Sequence, residues 1–165
     1  MMNWIAIDMD GTVANCDHRL SYILDMDTGM KLPGKQRNYA KFLDPDLVRL
    51  DPPIQSNIER IVQEYLRPYN AVPVFITGRP STLRETCWMW IFEHFTWWYP
   101  ENKLVMLYTR DKDDHRHDGT TKKELMDKAI ADMGCKPLYA FDDRDSVIEP
   151  WKAMGIDVID VKEWL

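Results

Sequence analysis

Apolar residues along this chain arrive in short unbroken runs, each closed by an acid, a hydroxyl or a glycine. Residues 4–8 (WIAID) form the first run and lead into Gly11, which predicts a buried strand feeding a loop. The period then changes. Ile54, Ile58, Ile61, Val62, Tyr65 and Leu66 recur at helical spacing behind Pro52 and Pro53, a favoured place for a helix to start. Residues 72–77 (VPVFIT) predict a second strand ending at Gly78, and Pro80 is expected to open a helix running to about His94. Beyond it the pattern predicts strands over 104–108, 138–141 and 156–159. Between these strands it predicts helices over 120–133, stopped by Gly134, and over 146–154.

Strands that are apolar throughout belong in a sheet covered on both faces, and their alternation with helices makes that sheet parallel. The expected fold is therefore α/β, a three-layer sandwich around a central parallel sheet of about five strands. Ligands of such sheets lie beyond the carboxyl ends of the strands, at a switch point. The sequence punctuates those ends with Asp8, Thr77 and the pair Asp142 and Asp143. Residues 14–51 interrupt the pattern with Gly29, Pro33, Gly34, Pro45 and mixed charge. They are expected to form an insertion after the first strand with one or two short helices, a flap or small cap over the site. Without a repeat or linker, residues 1–165 are expected to form a single domain.

Composition narrows the function classes. A chain of 165 residues can bury a substantial core. Its net charge of −6 argues against coating long nucleic acid by electrostatics, although a local basic pocket or a metal-held substrate remains compatible. Cys16, Cys87 and Cys135 are too few and too scattered for a disulfide framework or a zinc site, so a reducing cytoplasm is expected. No apolar run approaches the ~20 residues of a membrane span, and no membrane partner is expected.

Four constellations carry chemistry. Asp8 and Asp10 flank Met9 at a strand end, where one acid can act as nucleophile while the other moves protons; acid–turn–glycine is also an ordinary strand ending. Thr77, Gly78 and Arg79 offer a hydroxyl, a flexible backbone amide and a guanidinium, all suited to a phosphate, though Thr-Gly also makes common turns. Lys122 sits near a helix N-terminus, where its charge opposes the helix dipole; a solvated lysine pair with Lys123 is the competing explanation. Asp142 and Asp143 are adjacent acids that repel unless a cation lies beside them, and oxygen-only ligands suit Mg²⁺; a helix cap by Asp143 is the alternative.

Taken in order, DxDGT, a threonine at the second strand end, a lysine and a terminal acidic pair resemble the haloacid dehalogenase (HAD) superfamily. That resemblance implies a HAD-like, Rossmann-like fold and a phosphohydrolase dependent on Mg²⁺. The spacing DxDGT-x6-R to Arg19, then TGR, HDGTTKKEL and FDDRDSVIEPW, is similar to the 3′-phosphatase domain of phage-type polynucleotide kinase/phosphatases. From this resemblance, Asp8 is the nucleophile that forms an aspartyl-phosphate and Asp10 the general acid and base. Thr77 and Lys122 hold the phosphoryl group. Asp8, the Asp10 backbone carbonyl, Asp142 and Asp143 hold the metal, supported by Asp118. Arg19, Gly78, Arg79 and His18 are expected to contact substrate, a nucleic-acid 3′-phosphate or a nucleotide. The same resemblance allows a phage protein working in a host cytoplasm. Competing expectations are a small-molecule or 5′-nucleotide monophosphatase, and, as a different class, a binding protein on a catalytically silent HAD scaffold.

Other segments are decoys. Residues 29–35 match GxxxxGK, but Gln36 stands where a P-loop needs Ser or Thr, and no strand precedes it. In the tryptophan-rich segment, Leu83, Cys87, Trp90, Ile91 and His94 share a helical stripe, which predicts core packing over base stacking. Trp97, Trp98 and Tyr99 lie past the helix end and are expected as an exposed patch able to support a homodimer. The charged loop 110–118, with His115 and His117, is expected to be solvated.

Overall fold

The structure, a computed structural model, describes residues 2–101 and 104–165. Five strands, β1 (Trp4–Ile7), β2 (Val72–Pro80), β3 (Met106–Arg110), β4 (Tyr139–Asp142) and β5 (Val158–Asp160), form one parallel sheet in the order β3-β2-β1-β4-β5. The chain builds outward from β1 to β3, then returns to the other side of β1. The switch point therefore falls at β1 and β4, whose carboxyl ends carry Asp8 and Asp142.

Two apolar cores explain why the strands read as unbroken runs. Ile5, Ile7, Phe75 and Phe141 face one core with Ile58, Ile61, Leu66, Leu83, Cys87, Trp90 and Ile91. Trp4, Ala6, Val74, Ile76 and Ala140 face the other with Met126, Ala129, Val147 and Trp151. The first core is covered by α4 (Gln55–Arg60), its π-helical continuation Ile61–Leu66 and α6 (Arg84–His94). The second is covered by α7 (Asp118–Met133) and α8 (Asp145–Ala153). A short α5 (Arg67–Tyr69) ends at Asn70 in the left-handed conformation and turns the chain into β2. Apolar strand side chains thus meet a helix-covered core on either face of the sheet. No helix among the described residues is long and apolar enough to cross a membrane.

The insertion carries α1 (Asp17–Leu20), α2 (Tyr39–Phe42) and α3 (Pro45–Arg49), one more short helix than the upper expectation. Asn38 and Asp44 cap α2 and α3 with their side chains, a local signal in residues otherwise read as loop. The GxxxxGK segment ends in a single 3₁₀ turn at Gly34–Gln36, and no helix begins before Tyr39.

Two expectations are corrected. Pro80 does not open a helix: it is the last residue of β2, extended and paired with Arg110, and a 3₁₀ turn (Ser81–Leu83) precedes α6. The register shift between Thr77 and Pro80 lengthens the strand and moves the helix N-terminus away from Thr77. The exposed patch of Trp97, Trp98 and Tyr99 does not form. Tight turns (Trp98 N–H to Phe95, Tyr99 N–H to Thr96) fold Tyr99 back into the core, and only Trp97 stands open at 80%.

Candidate active site

Asp8 continues β1 by one hydrogen bond, its N–H donating to the Phe141 carbonyl at 3.0 Å. The chain then closes a tight loop in which the N–H groups of Thr12, Val13 and Ala14 all donate to the Met9 carbonyl. Gly11 makes that loop possible with φ +80°, a region that L side chains rarely adopt. A Cβ there would also lie 2.2 Å from Asp143 Oδ2, so the first motif and the last touch through this glycine. Gly78 plays the same part opposite Asp118, whose Oδ1 would stand 2.5 Å from an added Cβ.

Lys122 is fully buried in the second turn of α7 and donates to Asp8 Oδ1 at 2.6 Å and Asp142 Oδ2 at 2.8 Å. These two carboxylates offset its unfavourable place near a helix start, and the alternative of a solvated lysine is set aside. Asp8 Oδ2 accepts from the Thr12 hydroxyl at 3.3 Å. Burial, then the nearby Asp142, push the Asp8 carboxyl well above its ordinary range, while Lys122 pulls the other way. Burial and Asp142 likewise raise Asp143 to about 6.

Asp8, Asp142 and Asp143 offer oxygens within 4.8 Å of one another. Asp142 is already engaged at both oxygens, by Lys122 and by the Arg144 N–H at 2.9 Å. Asp143 Oδ1 is buried without a hydrogen-bond partner among the described residues. Nor does Asp143 cap α8, whose first turn carries no side-chain cap. An orphaned carboxylate oxygen inside a cluster of hard oxygen donors fits a small divalent cation.

Asp10 faces the other way. Its carboxylate accepts from Arg79 Nη2 at 2.6 Å, Arg79 Nε at 3.2 Å and Arg19 Nη2 at 2.9 Å. Burial alone would raise its pKa, but Arg79 and then Arg19 hold it far below the usual carboxylate range. Both arginines are fully buried and also grip Asp51, a residue that sequence reasoning did not single out. His18 Nε2 donates to Asp51 Oδ1 at 2.8 Å. In this arrangement Arg19, Arg79 and His18 are turned to protein carboxylates.

Thr77 is buried, its hydroxyl accepting from the Arg79 N–H at 3.2 Å. Asp118, four residues before Lys122, is held by Arg110 and by Arg144 Nη1 at 2.5 Å. Those arginines and Lys122 keep its carboxyl below the ordinary range despite burial. Arg144, also absent from the sequence-based set, keeps a side chain 46% open between Asp118 and the acidic cluster. The loop is solvated as expected, with residues 111–113 and 115–117 exposed, and it is tied down at the surface. Arg116 pairs with Asp114 and Glu124, and His117 Nδ1 caps α7 by accepting from the Gly119 N–H at 3.2 Å.

The fold has known counterparts. The description "Polynucleotide kinase PNKP phosphatase domain" matches residues 21–164. Asp8, Asp10 and Thr12 precede that span, so their part rests on the geometry above. No curated protein sequence matches the chain. Among solved structures, a chain of the Pnkp1/Rnl/Hen1 RNA repair complex superposes with a TM-score of 0.64 at 20% identity, covering 98% of this chain and 42% of that one. A chain of a second Pnkp1/Rnl/Hen1 complex gives 0.66 at 20% identity, with 98% and 46% coverage. A haloacid dehalogenase-like hydrolase from Streptococcus pneumoniae gives 0.56 at 10% identity, with 95% and 83% coverage. These likenesses speak for the fold, and the chain spans less than half of the two repair-complex chains. Over the matched span, this chain belongs to the HAD-type PNKP phosphatase-domain family.

Proposed function

We propose that the protein, acting as a single domain with residues 14–51 as flap, is a Mg²⁺-dependent phosphomonoesterase working through an aspartyl-phosphate at Asp8. The observation that carries this reading is the placement of Asp8, with one oxygen on Lys122 and three carboxylates gathered around a single point. Asp8 and Asp143, with the Asp10 backbone carbonyl, would hold the metal directly. Asp142, already bonded to Lys122 and the Arg144 amide, supports them. When bound, the metal neutralises the crowded carboxylates and draws the anionic phosphate to the anionic nucleophile.

This chain's own groups do the rest. Asp8 attacks phosphorus as phosphorus's bond to the ester oxygen breaks, and that oxygen leaves with a proton from Asp10. The two arginines hold Asp10 ionised in the free protein, and it takes up that proton as the ester binds. A water then attacks the phosphoryl-Asp8 and gives its proton back to Asp10. The bond to Asp8 breaks, and inorganic phosphate leaves. Thr77, the Gly78 amide and Lys122 hold the phosphoryl oxygens, and Lys122 favours the ionised Asp8 between turnovers. Asp118 keeps Arg110 and Arg144 in place beside Lys122.

For the substrate, the family match favours a 3′-phosphate at a nucleic-acid end, or a nucleotide. A small-molecule or 5′-nucleotide phosphate is the alternative, favoured by the net charge of −6. A phosphate-release panel with Mg²⁺ decides between them. It compares a 3′-phosphorylated oligonucleotide, 3′- and 5′-mononucleotides and a sugar phosphate. A kcat/KM highest on the oligonucleotide is the expected result, and preference for the 5′-mononucleotide or the sugar phosphate would sink it. Release from none of them, together with none from p-nitrophenyl phosphate, would sink the phosphatase mechanism itself.

A further inference from the structure

Asp51 ends the insertion, just before Pro52 and Pro53, and its carboxylate is completely buried. Its backbone is pinned on two sides. The Asp51 carbonyl accepts from Trp90 Nε1 at 2.7 Å, and the next residue's carbonyl accepts from the Asn15 N–H at 2.8 Å. Asp51 Oδ1 takes Arg19 Nε at 2.7 Å, while Oδ2 takes Arg19 Nη2 at 2.6 Å and Arg79 Nη2 at 2.7 Å. The Arg19 contact is a two-point fork, the geometry that fixes a guanidinium plane rather than merely attracting its charge.

Each arginine then reaches past Asp51 to Asp10, Arg19 with Nη2 and Arg79 with Nη2 and Nε. The remaining donors are used elsewhere. Arg19 Nη1 donates to the Phe42 carbonyl at 2.9 Å, and Arg79 Nη1 points to the Cys87 sulfur at 3.8 Å. Asp10 itself sits on the site's open side, with a side chain 15% accessible, so it is held by the arginines and does not anchor them.

We infer that Asp51 is a positioning residue for the proton transfers of Asp10: it anchors Arg19 and Arg79 from behind, and they in turn fix where the Asp10 carboxylate points. This inference rests on the proposed reaction. It assigns Asp51 no contact with substrate. Loss of the anchor leaves Arg19 without two of its donor contacts and frees the fork to turn. Asp10 then follows the arginines out of line with the leaving oxygen.

Leaving-group chemistry separates this role from a merely structural one. A nitrophenolate departs without help from an acid, whereas a sugar alkoxide departs only as it gains a proton. The test measures kcat/KM on a 3′-phosphorylated oligonucleotide and on p-nitrophenyl phosphate, in the intact chain with Mg²⁺. The ratio of the two is independent of how much of a variant is folded. Asp51→Asn is expected to lower the oligonucleotide-to-aryl ratio at least ~10-fold, a part of what a positioned acid contributes, and Asp51→Glu to recover most of it. A ratio within about threefold of wild type in Asp51→Asn overturns the inference.

Should Asp51→Asn fail to fold, Arg19→Lys carries the same test, since lysine keeps the buried charge but cannot span Asp51 and Asp10 with a fork. Its ratio should fall likewise, and an unchanged ratio overturns the inference. Wild-type protein inactive on both esters overturns the proposed function. Wild-type protein active on the aryl ester alone leaves that chemistry standing but overturns the role of Asp51.

Discussion

Two halves of the site are built from the same residue types and balanced differently. At the sheet's switch point, Lys122 stands against three carboxylates, Asp8, Asp142 and Asp143. On the flap side, Arg19 and Arg79 stand against Asp10 and Asp51, two charges of each sign. The flap-side cluster is complete by itself, with each acid held by both arginines. The switch-point cluster is short of positive charge: burial and then the neighbouring Asp142 push Asp8 and Asp143 upward, and an Asp143 oxygen has no partner among the described residues. One half is neutralised by folding; the other is left with more acid than base.

That contrast can be broken in four places, from the largest expected effect downward. Asp8→Asn removes the nucleophile and should lower phosphate release on the order of 10⁴-fold or more, with an unchanged circular-dichroism spectrum. Wild-type activity in the pure variant would falsify its assignment. Chelation with EDTA should take activity below about a hundredth of its starting value, restored by added Mg²⁺, because only the acid-rich half depends on an ion. Activity that survives exhaustive chelation removes the distinction between the halves.

The third prediction concerns stability in urea. Asp51→Ala leaves two buried guanidiniums against one acid and should cost about 3–5 kcal/mol, the range for breaking a buried pair. Asp143→Asn in metal-free protein should instead stabilise by about 1 kcal/mol, since it relieves like-charge crowding. Opposite signs are the expected outcome, and equal losses would show that both halves are balanced alike. The smallest change is Gly11→Ala. The strain at φ +80° and the displaced Asp143 should cost about 1–3 kcal/mol, read as a lower Tm. A raised requirement for Mg²⁺ should accompany it in activity titrations.

Legibility in the sequence follows the same division. Asp8, Thr77, Asp142 and Asp143 could be read because strand ends are marked locally, by an apolar run and the turn that stops it. Lys122 was placed by its match to the family's lysine, since a position near a helix start suits a solvated face equally, and the structure supplies Asp8 and Asp142 as its partners. Asp51 carried no such mark. It sits before two prolines in an irregular segment, and its partners Arg19 and Arg79 are 32 and 28 residues away. Arg144 directly follows the acidic pair, but nothing local assigned it a role, because its partner Asp118 lies 26 residues earlier. The aromatic run shows the limit from the other side. The stripe of Leu83, Cys87, Trp90 and Ile91 identified the buried face of α6, but nothing local told Tyr99 from Trp97.

The sequence by itself determined the order of strands and helices, the parallel sheet and the acids at its carboxyl ends. Periodicity and punctuation are properties of neighbours along the chain. Which cation answers which acid was decided only by tertiary structure. Arg19, Asp51 and Arg79 come from the insertion and from β2, and a buried charge has no energetic identity until its partner is packed against it. The same folding step left an Asp143 oxygen unanswered among the described residues beside Asp8, and so separated the half whose charges are matched from the half whose carboxylates outnumber its cations.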